Sequence, residues 1–413
     1  MGRYTVFSTK DVDSQIDVYL SMIVNSIVSI VGKDKIKAVV LFGSFGRGEG
    51  GVVCQNGKVI PVNDFDITIF IKKNLIKCRK LFSEILEEKA QELSKIIGIK
   101  QIDLDLSLPI TLLFSTKNNA SYEKYYGHKV LYGAINIKQW MRKPIASQLD
   151  LIDGANFFLN RGSGLILAYY SLLISNHETS QIIKENIAIE INKAVLAMGD
   201  SYLIMKGYYH YSYSKRLMIA KDIEFLVPSL GATIRELYIE SLIWKLQPNF
   251  TDIGVKNNKE RIITIKNIFS TYFLWFESKR HTQIFLNWKD YSQSIIKLQS
   301  SNWNIQIRKI VLQILKNPTY ILNIDATREL LKNDFGIKLA IMSSILFSLK
   351  TVNSVDSMLL NIASNTITKY YNNVEGERDW CNVSKDYLVI YHPKGIINYI
   401  MQKKKKSKTT ISN

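Results

Sequence analysis

Cysteine is nearly absent from this chain: 413 residues hold three, Cys54, Cys78 and Cys381. An odd number at unrelated spacings excludes a disulfide scaffold and a CxxC zinc site, and it suits a reducing compartment. Histidine is sparse too, with five in all. His128 has no second His or Cys at ligand spacing, which removes it as a metal-ligand candidate. Long hydrophobic runs are missing. The most apolar stretches, residues 164–174 and 337–349, fall short of the ~20 residues a bilayer span needs. The opening MGRYTVFSTK has no apolar h-region, and Val6 stands where a myristoylation signal following Gly2 requires Ser or Thr. These absences lead to the expectation of a cytoplasmic protein with no membrane span.

Negative charge is also in short supply. Asp and Glu number 36 against 54 Lys and Arg, a formal net charge of +18. Such a surplus favours anionic partners such as nucleotides, nucleic acid or an anionic surface. Lys, Ile and Asn are frequent throughout, so a bias toward AT-rich codons accounts for the charge equally well. A composition 46% hydrophobic and 22% charged is that of a globular chain, and its length calls for two or more domains.

Apolar spacing divides the chain in two. Residues 14–31 carry a helical period closed by Gly32, and 38–42 form a short apolar run that reads as a buried strand. Residues 52–60 read as a hairpin turning at Asn56-Gly57. A second strand covers 65–71. Leu81, Phe82, Ile85, Leu86, Leu93, Ile96 and Ile97 mark an amphipathic helix ending at Gly98, and 102–106 form a third strand with Asp103 and Asp105 on one face. Beyond Pro144 strand alternation nearly vanishes; 149–174, 187–205, 234–246 and 305–315 all have helical spacing. The expected partition is a mixed α/β domain over 1–143 and a mostly helical region over 144–413. That region could divide near 300, and it ends in a basic tail, 403–413.

The chemistry concentrates in Leu41-Phe42-Gly43-Ser44-Phe45-Gly46-Arg47 and Asn63-Asp64-Phe65-Asp66-Ile67. A strand that ends in Gly-Ser and turns sharply offers backbone N–H groups and a hydroxyl at the sheet edge, and glycine lets a phosphate approach closely. Arg47 adds a fork matched to phosphate oxygens. Asp64 and Asp66, two apart on a strand, point to one face, where Asp103 or Asp105 could join them. Carboxylates so gathered repel one another unless a cation sits among them, and Mg²⁺ suits carboxylate and phosphate ligands.

This order of strand, Gly-Ser, Arg, Asp-x-Asp, helix and Asp strand resembles the polymerase-β-type nucleotidyltransferase superfamily over the first third of the chain. The resemblance implies an α/β (α+β) domain with a short mixed sheet. It implies that Gly43 and Ser44 hold an NTP triphosphate with Arg47, and that Asp64 and Asp66 ligate two Mg²⁺ ions, with Mn²⁺ as a substitute. A third carboxylate, Asp103 in preference to Asp105, would join the metal set and help activate the acceptor. The implied reaction moves an NMP from an NTP to an acceptor hydroxyl, releasing pyrophosphate. The acceptor (small molecule, glycan, protein or tRNA) would be chosen by the helical region. A catalytically quiet nucleotide-binding or toxin–antitoxin-type protein on the same fold is the alternative. One departure is the 19 residues between Ser44 and Asp64, more than the family usually has. The Asn56-Gly57 hairpin accounts for them, at a place where it could shape the nucleotide entrance.

Two further segments bear on function. Residues 122–133 read as a closing hairpin, although Lys124, His128 and Lys129 could hold phosphate. Residues 202–217 interleave Tyr202, Tyr208, Tyr209, Tyr211 and Tyr213 with Lys206, Lys215 and Arg216. That pattern suits stacking on a ring-bearing ligand, or a helix end that packs its tyrosines with their hydroxyls outward.

Overall fold

A computed structural model of the chain describes residues 2–6, 10–114, 118–174, 181–250, 258–299, 334–371 and 378–391. The fold is mixed α/β, mostly helical with a small mixed sheet. The chain separates into two compact units. The first joins residues 1–154 to 199–250, and the second holds 155–198, 258–299 and the described residues beyond 334. Residues 199–250 therefore belong with the N-terminal portion, where the sequence suggested a break at 143. The suggested division near 300, the 305–315 helix and the basic tail lie outside the described residues.

In the first unit α1 (Lys10–Val31) leads into β1 (Ile36–Leu41), and a one-turn helix α2 (Gly43–Arg47) follows. The hairpin is β2 (Val52–Gln55) and β3 (Lys58–Pro61). Then come β4 (Phe65–Ile71), α3 (Leu75–Ile97), β5 (Ile102–Ser107), a 3₁₀ turn at Pro109–Phe114, α4 (Asn119–Tyr126), β6 (Lys129–Gly133) and α5 (Ile137–Trp140). The sheet order is β5-β4-β1-β6. β4 and β5 run parallel, and β1 is antiparallel to both β4 and β6.

Alternation along the strands gives the sheet two different faces. Val39, Leu41, Phe65, Ile67 and Ile69 pack with Ile16, Leu20, Ile23 and Ile27 of α1 and with Leu86, Leu93 and Ile97 of α3. Ala38, Val40, Phe42 and Phe70 face the other way, onto Leu112, Ile137 and Met141. That second layer is small, and it leaves one end of its sheet face open. By length and composition alone α1 and the later α6 (Leu151–Ile174) are apolar enough to cross a membrane, a test that the core helix of a soluble protein also passes. On α3, Leu81, Ile85 and Ile96 are about half exposed, so the buried stripe is narrower than their spacing suggested.

The segment expected to close as a hairpin over 122–133 is instead α4 and β6. The Asn118 side chain accepts from the Ser121 N–H at 2.8 Å and caps the helix, and β6 completes the sheet edge on β1. The first unit continues after Gly199 in the end of α7 (Gln181–Met205), then α8 (Tyr213–Asp222) and α9 (Gly231–Leu246).

The second unit is helical apart from one hairpin. It contains parts of α6 and α7, then α10 (Asn258–His281), α11 (Trp288–Gln299), α12 (Asp334–Ser348), β7 (Leu349–Thr351), β8 (Ser354–Val355), α13 (Ser357–Tyr371) and α14 (Trp380–Tyr391). Phe158 lies among Phe269, Phe273 and Phe276 at its centre. Buried Lys266 donates to the Leu349 carbonyl at 2.5 Å.

The β2–β3 turn has the expected geometry, with Asn56 and Gly57 both at positive φ (51° and 75°). Gln15 of α1 brackets it, donating to the Gly57 carbonyl and accepting from the Val59 N–H. A Cβ at Gly57 would meet nothing within 4 Å. Gly57→Ala therefore bears a backbone penalty alone, and a loss of about 1–2 kcal/mol is expected in urea or thermal unfolding.

Candidate functional site

The open end of the second sheet face is a cleft of about 290 Å³. Phe42, Gly43, Arg47, Asp66, Thr68, Asp103, Asp105, Ala120, Glu123 and Lys124 surround it, with Ile67 in its floor. The strand register explains why these residues meet. Asp66 and Thr68 of β4 stand opposite Asp103 and Asp105 of β5, so both pairs share one face. Asp64 lies one residue before β4, just off the strand, and its charge still reaches Asp66.

Gly43 fixes the geometry. It has φ +66°, and a Cβ there would come within 1.9 Å of Asp66 Oδ2. The Phe42 N–H donates to the Asp66 carbonyl at 2.8 Å, which clamps the end of β1 to the start of β4. A residue with no side chain is thus required both by the backbone angle and by the carboxylate beside it. Burial, followed by repulsion from Asp64 and Asp103, raises the Asp66 carboxyl to about 6. Arg47 and Lys124 offset part of this.

Arg47 is only 4% exposed and donates to Glu123 Oε2 at 2.8 Å. Its stem passes close over Gly127, where a Cβ would meet Arg47 Cγ at 2.1 Å. Glu123 also accepts from the buried Tyr209 hydroxyl at 2.6 Å and lies 3.5 Å from Arg216. Arg216 in turn pairs with Asp200 at 2.7 Å, and Asp200 accepts from Tyr238 at 2.6 Å. Burial pushes the Glu123 carboxyl up, but the two guanidiniums and the Tyr209 hydroxyl outweigh it and hold it below its ordinary value. Glu49 serves the same region by accepting from the Ser212 hydroxyl and the Tyr213 and Ser214 N–H groups at the start of α8.

The structure treats the expected site residues unequally. Gly43, Arg47, Asp66, Asp103 and Asp105 line one cleft. Ser44 does not: it is 7% exposed inside α2, so the hydroxyl expected at the sheet edge is buried. Asp105 is exposed and paired with Arg79 at 3.3 Å, whereas Asp103 accepts from Gln101 at 2.6 Å and stands directly opposite Asp66. The β2–β3 hairpin packs on α1 and contributes no residue to the cleft. Lys124 reaches the cleft, while His128 Nδ1 lies 2.9 Å from the Lys124 carbonyl. Glu123 went unread in the sequence, because one acid in a Tyr- and Lys-rich segment carries no local signal of partners some 76 and 93 residues away.

Among the described residues no group of three or more His, Cys, Asp or Glu side chains converges tightly enough to hold a metal ion with protein ligands alone. Mg²⁺ does not need such a cage, since one or two carboxylates with substrate phosphates suffice. Asp66, raised by burial and then by the charges of Asp64 and Asp103, is a carboxylate donor of that kind.

Two expectations follow. Because Asp66 titrates at about 6 in the fold and near 3.8 unfolded, the native state binds the extra proton between those values. Stability should therefore fall as pH rises from about 4 to 6. Without divalent cations, Asp66→Asn should then be more stable than wild type at pH 7 by about 1–3 kcal/mol and show little gain near pH 4. Glu123→Ala leaves two buried guanidiniums short of a counter-charge and should lose about 3 kcal/mol in denaturant unfolding.

Comparison with known protein families, characterised proteins and solved structures gives no match to this chain.

Proposed function

We propose that the chain is a metal-dependent nucleotidyltransferase that moves an NMP from an NTP to an acceptor hydroxyl and releases pyrophosphate. The observation that carries this reading is the Asp66 carboxylate, lifted to about 6 against Gly43 and in register with Asp103. A carboxylate kept so costly without a cation, in a cleft with cations on its wall, suits an anionic substrate brought with Mg²⁺ or Mn²⁺. When bound, two such ions would neutralise charge on the attacking and leaving oxygens, with Asp64, Asp66 and Asp103 as their protein ligands.

The chain's own groups do the remainder. Gly43 keeps the turn free of a side chain beside the Asp66 carboxylate. Arg47 and Lys124 line the cleft and supply positive charge there. Ser44 acts through the backbone of the turn, since its hydroxyl is buried. Asp103 is the better placed of the two β5 acids to accept the acceptor's proton, because Asp105 is tied to Arg79.

The second reading, a nucleotide-binding protein without turnover, is favoured by the Arg47–Glu123 ion pair, which satisfies much of that guanidinium internally. Incubation of the purified chain with MgCl₂ and each α-labelled NTP separates the two. Transfer of label to an acceptor, lost at least 100-fold in Asp66→Ala and Asp64→Ala with folding intact, is expected. Nucleotide binding with no transfer to lysate, RNA or the chain itself contradicts the enzyme.

A further inference from the structure

The two most exposed large apolar side chains among the described residues stand on one turn. Ile284 is 80% exposed and Leu286 82%, against 66% for the next, Leu226. Both lie between α10 and α11, within the second unit. Phe285 between them is 4% exposed, so burial alternates along the segment and both aliphatic side chains turn outward.

The turn is held by its own bonds. The Gln283 N–H donates to the Ser278 carbonyl at 3.0 Å, and the Phe285 N–H donates to Ser278 Oγ at 3.4 Å. The Phe285 ring packs edge-on against Tyr291, with centroids 5.2 Å apart, and against His281 at 6.1 Å. Asn287 Oδ1 caps α11 by accepting from the Asp290 N–H at 3.0 Å, and Asp290 Oδ2 accepts from the Leu286 N–H at 3.1 Å. An apolar residue just before a cap ordinarily folds onto the fourth residue of the helix, here Tyr291. Phe285 already covers Tyr291, and Leu286 is left in solvent.

The charge around this tip has one sign. Residues 279–289 contain Lys279, Arg280 and Lys289 and no Asp or Glu. Arg280 is tied to buried Glu277, and Asp290 turns a carboxylate oxygen to the Leu286 N–H. Lys279 and Lys289 are exposed and flank the tip in sequence.

Shape and charge together select the occupant. A stable protein interface covers roughly 800 Å² a side. Thr282, Gln283 and Asn287 beside the tip are exposed and polar, so along this turn the apolar patch ends at two side chains. A bilayer asks for less, because apolar side chains enter the boundary between headgroups and acyl chains while flanking cations meet anionic headgroups. The net charge of +18 acts in the same direction.

We infer that the Ile284–Leu286 turn, with Lys279 and Lys289, docks the chain on the surface of an anionic lipid bilayer. Lipid binding at this turn is independent of nucleotidyl transfer in the cleft.

Vesicle flotation reads the docking directly. The full chain, without Mg²⁺ or NTP, is mixed with vesicles of phosphatidylcholine alone or with about one third phosphatidylglycerol, in about 50 to 200 mM KCl. It should float with the anionic vesicles, less so as salt rises, and stay behind with the neutral ones. Ile284→Ser/Leu286→Ser should lose about tenfold or more in vesicle affinity. Lys279→Gln/Lys289→Gln should lose about tenfold at the lowest salt and show a shallower salt dependence. Circular dichroism checks each fold; should the Ile284→Ser/Leu286→Ser pair unfold, Leu286→Ser alone decides. No binding to anionic vesicles at the lowest salt, equal binding to phosphatidylcholine alone, or wild-type binding by the folded Ile284→Ser/Leu286→Ser variant overturns the inference. Self-association in sedimentation velocity that this variant abolishes, with no vesicle binding by the wild type, overturns it in favour of a second copy of the chain.

Discussion

The close approach of Gly43 to Asp66 is the constraint on which the site depends. β1 must end where β4 begins, the backbone at Gly43 must take a positive φ, and no side chain can stand between the turn and the carboxylate. The Phe42–Asp66 backbone bond enforces the first condition and glycine the other two. With that junction fixed, the parallel β4–β5 register brings Asp103 opposite Asp66 without any further device. Burial of Asp66, with the repulsion that results, is the cost of the arrangement.

A second constraint stabilises the surroundings. Glu123 collects Arg47 from the turn after β1, Tyr209 from the segment after α7 and Arg216 from α8. A buried carboxylate with three donors from three separate segments holds α4, the glycine turn and residues 199–250 together, and it explains why the last of these belong to the first unit. Arg216 also pairs with Asp200, so these groups form one connected network. Its tyrosines pack in different ways: Tyr209 is buried and bonded to Glu123, and Tyr211 stacks on Tyr126.

The elements that local patterning controls were legible in the chain. The buried run at Ala38–Phe42, the Asn56-Gly57 turn, the Asp-bearing strands and the helix closed by Gly98 all stand where spacing and turn chemistry put them. The distant partners of Glu123 were not, and three local readings also differ from the structure. Residues 122–133, following the third strand, read as a closing hairpin, yet with Asn118 as its cap the first part is the helix α4. Ser44 looked exposed because a Gly-Ser turn often is, and the one-turn helix after Gly43 buried it. Leu81 and Ile85 looked like core, but the buried face of α3 is Leu75, Cys78, Leu86, Ala90, Leu93 and Ile97.

Burial, with repulsion from Asp64 and Asp103 added, makes the Asp66 carboxylate costly to ionise when no cation is beside it. A ¹³C-carboxyl NMR titration of Asp66 tests it directly. A midpoint near 6 is expected without divalent cations, and MgCl₂ with a non-hydrolysable NTP should move it well below that. A midpoint near the ordinary carboxylate value in both conditions would contradict the account.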